Sequence, residues 1–200
     1  MVKTEQEKFW KGKFGLSYSK RGRNLRDLKS RIYHYKKILK MTKNIKNVFE
    51  IGTNVGLNLD AIKKIRNKID TYGIEINKEV ISKIKKKHKI YNSSILDFDT
   101  KNTFDLVFTR AVLIHINPEK LPHVYKKIFK LSKKYILIDE FFNPTPIKLK
   151  YRGHKNKLFK RDFAYEIMRK FNLKLIDYGF GWSKDPKYPQ VDSNWFLFKK

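Results

Sequence analysis

Glu50-x-Gly52-x-x-x-Gly56 sets a carboxylate two residues ahead of a glycine turn, at the end of the apolar run Val48-Phe49-Glu50-Ile51. Glycines there tolerate positive φ and allow close backbone approach to a ligand, while the carboxylate accepts from ammonium or hydroxyl donors and repels phosphate. A dinucleotide fingerprint read from Gly52 needs glycine at 54 and 57, where this chain has Asn54 and Leu57. The pyrophosphate cradle is therefore missing, and a nucleoside pocket is the reading that remains. Glu75 follows in Gly73-Ile74-Glu75, about twenty residues on, where a carboxylate can accept both hydroxyls of a ribose. The alternative for Glu75 is to cap the helix expected over 77–87. His115 titrates near neutrality and can take a proton from an attacking hydroxyl or amine, or it can be a structural histidine. Asp139-Glu140 adds two carboxylates at a strand end, of which alternation allows one to point inward and leaves the other for a salt bridge or cap. In Tyr151-Arg152-Gly153-His154, Arg152 can clamp a carboxylate through two parallel hydrogen bonds, His154 adds positive potential and Tyr151 offers a flat face to a sugar ring.

These residues need elements that bring them together. Apolar runs predict strands at about 47–51, 71–75, 89–92, 104–109, 134–140, 173–180 and 194–199, with lysine-rich helices in most gaps. Such alternation predicts a parallel sheet with helices on both faces, and in such sheets ligands lie beyond the carboxyl ends of the strands. The last two runs have no helix between them and should pair as an antiparallel hairpin. The expected fold is thus α/β, a single Rossmann-like domain with a seven-stranded, mostly parallel sheet. Ahead of it, Thr4-Glu5-Gln6-Glu7 reads as a capping box, and an amphipathic helix is expected over about 24–41. Asn117-Pro118-Glu119 supplies another helix start. Residues 1–42 are read as a helical lid segment packed on the core, and 43–200 as the catalytic domain. Residues 141–160 are expected to be a long irregular insertion.

A formal charge of +28 is the footprint of a nucleic-acid binder. The charge is mostly lysine spread over nearly every helix, as at Lys63-Lys64, Lys85-Lys86-Lys87 and Lys133-Lys134, whereas an RNA groove concentrates arginine with aromatics on one face. Nucleic acid is accordingly not the expected partner; an anionic small substrate is. With no cysteine there is no disulfide, thiolate nucleophile or zinc-cysteine site, and no metal is assigned. No apolar stretch has the length of a membrane span and residues 1–12 lack a signal-peptide core, so a cytoplasmic protein is expected.

The Glu50 to Gly56 motif resembles the first motif of S-adenosylmethionine-dependent methyltransferases, and Phe104-Asp105-Leu106-Val107-Phe108-Thr109-Arg110-Ala111-Val112-Leu113-Ile114-His115-Ile116 resembles their fourth. That resemblance implies S-adenosyl-L-methionine as cofactor, held by Glu50, Gly52, Thr53, Asn54, Gly56, Glu75 and Ile76, with Ser94 and Ile95 flanking the adenine and Thr109 and Arg110 beside the methionine portion. His115 and Glu140 are the catalytic candidates. The segment Asn143 to Phe163, with Glu5 to Trp10, Phe14-Gly15 and Asn194-Trp195-Phe196-Leu197, is similar to the methylases associated with pseudaminic acid biosynthesis. It implies an acceptor of nonulosonic-acid type, free or nucleotide-activated, bound by Tyr151, Arg152 and His154. Tyr18-Ser19-Lys20-Arg21-Gly22-Arg23 departs from that family's pattern. Two rivals stand beside it: methylation of RNA or ribosomal protein, and a catalytically silent cofactor-binding scaffold.

Overall fold

The computed structural model describes residues 3–21, 24–82, 84 and 87–200; Gly22-Arg23 and Lys85-Lys86, singled out above, lie outside them. The chain opens with α1 (Glu5–Lys11), α2 (Lys13–Tyr18) and α3 (Leu25–Lys40). The capping box at α1 forms as expected: Thr4 Oγ1 accepts the Glu7 N–H and Glu7 accepts the Thr4 N–H. Asn24 caps α3 through the Asp27 N–H, with Lys37 and Lys40 in its last turn beside the negative end of the dipole.

Next come β1 (Asn47–Ile51), α4 (Leu57–Ile65), β2 (Asp70–Glu75), α5 (Lys78–Ile81), β3 (Lys89–Asn92), β4 (Phe104–Arg110), α6 (Leu121–Leu131) and β5 (Ser132–Glu140). The chain ends with β6 (Ile147–Tyr151), β7 (His154–Lys160), α7 (Phe163–Phe171), β8 (Lys174–Gly181) and β9 (Ser193–Lys199). The main sheet runs β3-β2-β1-β4-β5-β9-β8, with β1 to β5 mutually parallel and β9 antiparallel to both its neighbours. Every expected strand is present, and the α/β architecture is the one the alternation predicted. Strand order reverses between β1 and β4, opening a crevice at their carboxyl ends.

Both sheet faces are covered, so successive residues of a strand enter different cores. Val48, Leu106, Phe108 and Leu137 pack against Tyr35, Ile38 and Leu39 of α3 and Leu59 and Ile62 of α4. Phe49, Ile51, Val107, Ile136 and Ile138 pack against Val124 and Ile128 of α6 and Ile167 of α7. This corrects the reading of Asp139-Glu140. Neither faces out: Asp139 turns toward α3 and Glu140 into the loop after β4, and both are buried.

The insertion is also not irregular. β6 and β7 form a separate antiparallel hairpin with Tyr151 paired to His154. Its two-residue turn is Arg152-Gly153, both at positive φ (49° and 85°), the backbone that matches strand twist. Ile147, Leu149 and Tyr151 alternate with Lys148 and Lys150, a period-2 pattern hidden behind Pro144 and Pro146. Among the described residues no helix is long and apolar enough to cross a membrane.

Candidate active site

The glycine turn leaves β1 with Gly52 at φ 73°, Asn54 at 44° and Gly56 at 76°. The Gly52 and Thr53 N–H groups donate to the Ile74 carbonyl (2.9 and 3.0 Å), which ties the turn to the end of β2. The glycines close-pack the chain on itself. A Cβ on Gly52 would stand 2.7 Å from Val112 Cγ2, and one on Gly56 would meet His88 at 3.2 Å. Gly52, Thr53 and Asn54 also line the cavity at the crevice; Gly56 does not.

Glu75 faces that cavity from the end of β2. Its Oε2 accepts the Asn54 N–H (2.8 Å) and its Oε1 the Asn77 N–H (2.9 Å), so each oxygen is oriented by backbone and keeps capacity for a further donor. Burial raises its pKa, against the pull of these amides. The carboxylate thus faces the cavity and orients Asn77, whose own side chain caps α5 by accepting the Glu79 and Val80 N–H groups. Ile76, Ser94, Ile95 and Leu96 continue the wall, giving an apolar slot beside the carboxylate.

At the other end the wall is basic. Arg110 and Arg31 both line it, and both donate to Gln190 Oε1 (3.0 Å each). Arg110 Nη1 makes a short ion pair with Asp139, whose carboxylate also accepts from Ser193 Oγ (2.6 Å) and bonds His34 Nε2 (2.8 Å). Burial alone would raise the Asp139 pKa, but Arg110 and His34 hold it well below the usual carboxylate range. Burial, then Arg110, lowers Arg31 to about 10. Arg31 and Gln190 carried no local signal: one arginine in a basic helix and one glutamine in a loop meet across 159 residues of chain. Thr109 is wholly buried and off the wall.

Glu50 lies behind the turn, also off the cavity wall. Its Oε1 accepts from Asn58 Nδ2 (2.6 Å), Oε2 is buried without a partner among the described residues, and burial raises its pKa to about 8. The unfolded group releases its proton near 4.5, so the unfolded state binds fewer protons between about 4.5 and 8. Stability falls as pH rises through that window. Glu50→Gln should therefore gain on the wild type from pH 5 to pH 9, by on the order of 3 kcal/mol at the upper end. Thermal midpoints of the two proteins across that range check this.

His115 ends a 3-10 turn, Leu113–His115, held by Glu140. The Glu140 carboxylate accepts the N–H groups of Val112, Leu113 and Ile114 (3.0 to 3.4 Å), and burial raises its pKa to about 7 against those amides. It points into the backbone and not at the cavity, so it positions the turn. His115 Nδ1 lies 2.5 Å from the Lys157 carbonyl of β7. A carbonyl only accepts, so Nδ1 carries the proton and Nε2 keeps a lone pair in neutral imidazole. Burial lowers the His115 pKa to about 4, the Lys157 bond opposing. The ring lines the cavity between Trp10 (4.6 Å between centroids) and Tyr151 (4.7 Å).

Trp10 and Tyr18 complete that end of the cavity. The structure does not bring Tyr151, Arg152 or His154 to the cavity wall itself. Tyr151 backs His115, His154 packs on Phe9 (4.8 Å) and Phe14 (5.3 Å), and Arg152 stands exposed at the hairpin tip with its guanidinium 5.7 Å from the Tyr151 ring.

With this geometry in view the comparisons are specific. A methyltransferase domain family matches residues 19–178. No curated protein matches the sequence. Similar solved structures include an S-adenosylmethionine-dependent methyltransferase from Archaeoglobus fulgidus, 15% identical over 94% of this chain and 100% of that one (TM-score 0.67). Magnesium protoporphyrin IX methyltransferase from Synechocystis PCC 6803, with bound S-adenosylhomocysteine, is 12% identical over 97% of each chain (TM-score 0.68). The N-methyltransferase NodS from Bradyrhizobium japonicum WM9 is 15% identical over 88% of this chain and 99% of that one (TM-score 0.65). At these identities the neighbours speak for the fold, and the family match over most of the chain for the class. The chain belongs to the methyltransferase domain family, as a class I enzyme whose methyl donor is S-adenosylmethionine.

Proposed function

We propose that this chain methylates an oxygen or nitrogen of a nonulosonic-acid-type sugar, related to pseudaminic acid, or its nucleotide-activated form. The observation that carries the chemistry is the His115 imidazole, fixed by the Lys157 carbonyl so that Nε2 is the free base in a ring on the cavity wall. The acceptor class rests on the resemblance of residues 141–163 and both ends of the chain to the pseudaminic-acid-associated methylases, and on the aromatic lining by Trp10 and Tyr18.

The residues present fit the donor. Glu75 offers oriented carboxylate oxygens for two ribose hydroxyls, and Ile76, Ser94 and Ile95 form a slot for a flat base. Gly52, Thr53 and Asn54 shape the wall between, with Glu50 and Gly56 supporting the turn from behind. Arg31 and Arg110 provide positive charge for a carboxylate, Thr109 standing beneath them at the end of β4. When bound, S-adenosylmethionine supplies a methyl group on a sulfonium that leaves readily.

The protein's task is then mostly alignment, which is worth about 7 kcal/mol or more when the reacting atoms are held in line. As the acceptor forms its bond to the methyl carbon, its proton passes to His115 Nε2, for a further gain of roughly a hundredfold. A base with so low a pKa is unprotonated at neutral pH and takes the proton late, once bond formation has made it acidic. Glu140 acts through the turn that carries His115. Trp10 presents a flat face and a buried Nε1–H without a partner among the described residues, matching the face and hydroxyls of a sugar.

Residues 1–42 serve in this reading as the covering segment. α3 is rooted in the core, and α1 and α2 lie over the hairpin through Glu5–Lys157 (3.1 Å), Gln6 Nε2 to the Asn156 carbonyl (3.0 Å) and the Phe9, Phe14 and His154 rings. Half-buried Tyr151, with the exposed Arg152 and His154, forms the outer acceptor surface in this reading. Mass spectrometry of a panel of activated nonulosonic acids, incubated with protein and S-adenosylmethionine, should show one added methyl on one member. Methylation of RNA, with affinity falling steeply as salt rises, would replace this reading, because only a polyanion releases many counterions.

A further inference from the structure

The basic end of the cavity poses an electrostatic problem. Arg31 and Arg110 are like charges held side by side in a buried site, and of the two only Arg110 pairs with Asp139. Arg31 forms no ion pair among the described residues. What the two guanidiniums share is one neutral oxygen, Gln190 Oε1, 3.0 Å from Arg31 Nη1 and 3.0 Å from Arg110 Nη2. The amide cannot be turned over. Its Nε2 donates to the Ser30 carbonyl at 2.6 Å and the Tyr188 carbonyl at 3.4 Å, and a flipped amide would set donors against guanidinium donors and an oxygen against two carbonyls. Gln190 is itself buried and anchored by its N–H on the Trp182 carbonyl (2.9 Å), which closes the connection between β8 and β9.

We propose that Gln190 is a positioning residue for donor binding: its neutral oxygen gathers Arg31 and Arg110 into a two-pronged cationic site without neutralising it, so that the excess positive charge is kept for the carboxylate of the donor's amino-acid end. This rests on the reading of the cavity as the donor site. Neutrality is the essential property. A glutamate here would gather the same guanidiniums and fill the role the ligand's carboxylate is meant to fill, while setting its second oxygen against the Ser30 and Tyr188 carbonyls. A loss confined to ligands that carry a carboxylate therefore separates positioning from mere packing.

The test compares S-adenosylhomocysteine with 5′-methylthioadenosine, which has the same nucleoside and lacks the amino-acid end, by calorimetry on wild type, Gln190→Glu and Gln190→Met, with thermal midpoints measured alongside. Gln190→Glu is expected to weaken S-adenosylhomocysteine by roughly tenfold or more, a loss of about 1.4 kcal/mol, the midpoint serving to show that the variant is folded. Its affinity for 5′-methylthioadenosine should stay within about twofold, because that ligand presents no carboxylate to the two guanidiniums. Gln190→Met, similar in shape without the oxygen, should weaken S-adenosylhomocysteine alone, and it keeps the test decisive if the glutamate variant does not fold. Equal losses for both ligands, or unchanged S-adenosylhomocysteine affinity in a folded variant, overturn the proposal. Wild-type protein that binds neither ligand overturns the donor-site reading itself, and this inference with it.

Discussion

Glu75→Ala is expected to weaken S-adenosylhomocysteine binding by roughly a hundredfold or more, because two hydrogen bonds to a charged acceptor, each worth about 1.5–3 kcal/mol, are lost together. The Asn54 and Asn77 amides, which donate to this carboxylate, lose their acceptor as well. The loss must therefore be separated from a collapse of the turn. Glu75→Gln does so: its amide oxygen still accepts one backbone N–H, while its NH2 faces the ribose hydroxyls as a donor and gives up the charge. It should retain most of the thermal stability and still lose affinity by about tenfold, one such bond's worth. Calorimetry with S-adenosylhomocysteine on both variants measures the effect. Unchanged affinity in a folded Glu75→Ala protein would remove Glu75 from the donor site.

His115→Asn is expected to lower the transfer rate by about a hundredfold or somewhat more, the usual worth of a positioned base, with donor affinity unchanged. Asparagine is chosen because its amide NH2 can still donate to the Lys157 carbonyl, which preserves the contact between the 3-10 turn and β7. The pH profile carries a second signature. With a folded pKa of about 4, against 6.5 for the free group, His115 is neutral throughout the range above about pH 5. The base-dependent rate should be flat there and fall only as pH drops through about 4, whereas an unperturbed histidine would show a fall between 7 and 6. The same shift links to stability. Between about 4 and 6.5 the unfolded state binds the proton that the folded state refuses, so this part of the stability is complete above 6.5 and is lost as pH falls through the window. His34, lowered to about 4 mainly by burial, adds in the same direction. Single-turnover rates from pH 4.5 to 8 test the catalytic part, and a fall already complete by pH 6 would contradict it.

The main sheet was legible because each strand is a short apolar run that ends in a marked residue: Gly52 after β1, Glu75 on β2, Arg110 on β4. Those ends converge by topology alone, so the cavity's outline, with Gly52, Thr53, Asn54, Glu75, Ile76, Ser94, Ile95, Arg110 and His115 on its wall, could be drawn before any contact was seen. The basic end could not. Arg31 reaches the cavity from α3, where an apolar stripe was the dominant signal, and Gln190 becomes meaningful only beside two guanidiniums brought from distant parts of the chain. Glu140 was placed at the right strand end, but its carboxylate is used by three backbone amides, a geometry no spacing encodes. The hairpin of β6 and β7 is hidden in the sequence because Pro144 and Pro146 stand just ahead of the alternating Ile147, Leu149 and Tyr151. Its turn was marked by Gly153 all the same. The cost of Arg152 at positive φ is modest and is offset by pairing along the hairpin.

The most direct measurement is a crystal structure with S-adenosylhomocysteine bound. The ribose hydroxyls should lie on Glu75, the adenine between Ile76 and Ser94-Ile95, the carboxylate on Arg31 and Arg110, and the sulfur should point toward the space bounded by His115 and Trp10. A nucleoside whose ribose lies away from Glu75, or whose carboxylate points away from the Arg31–Arg110 pair, would contradict the account.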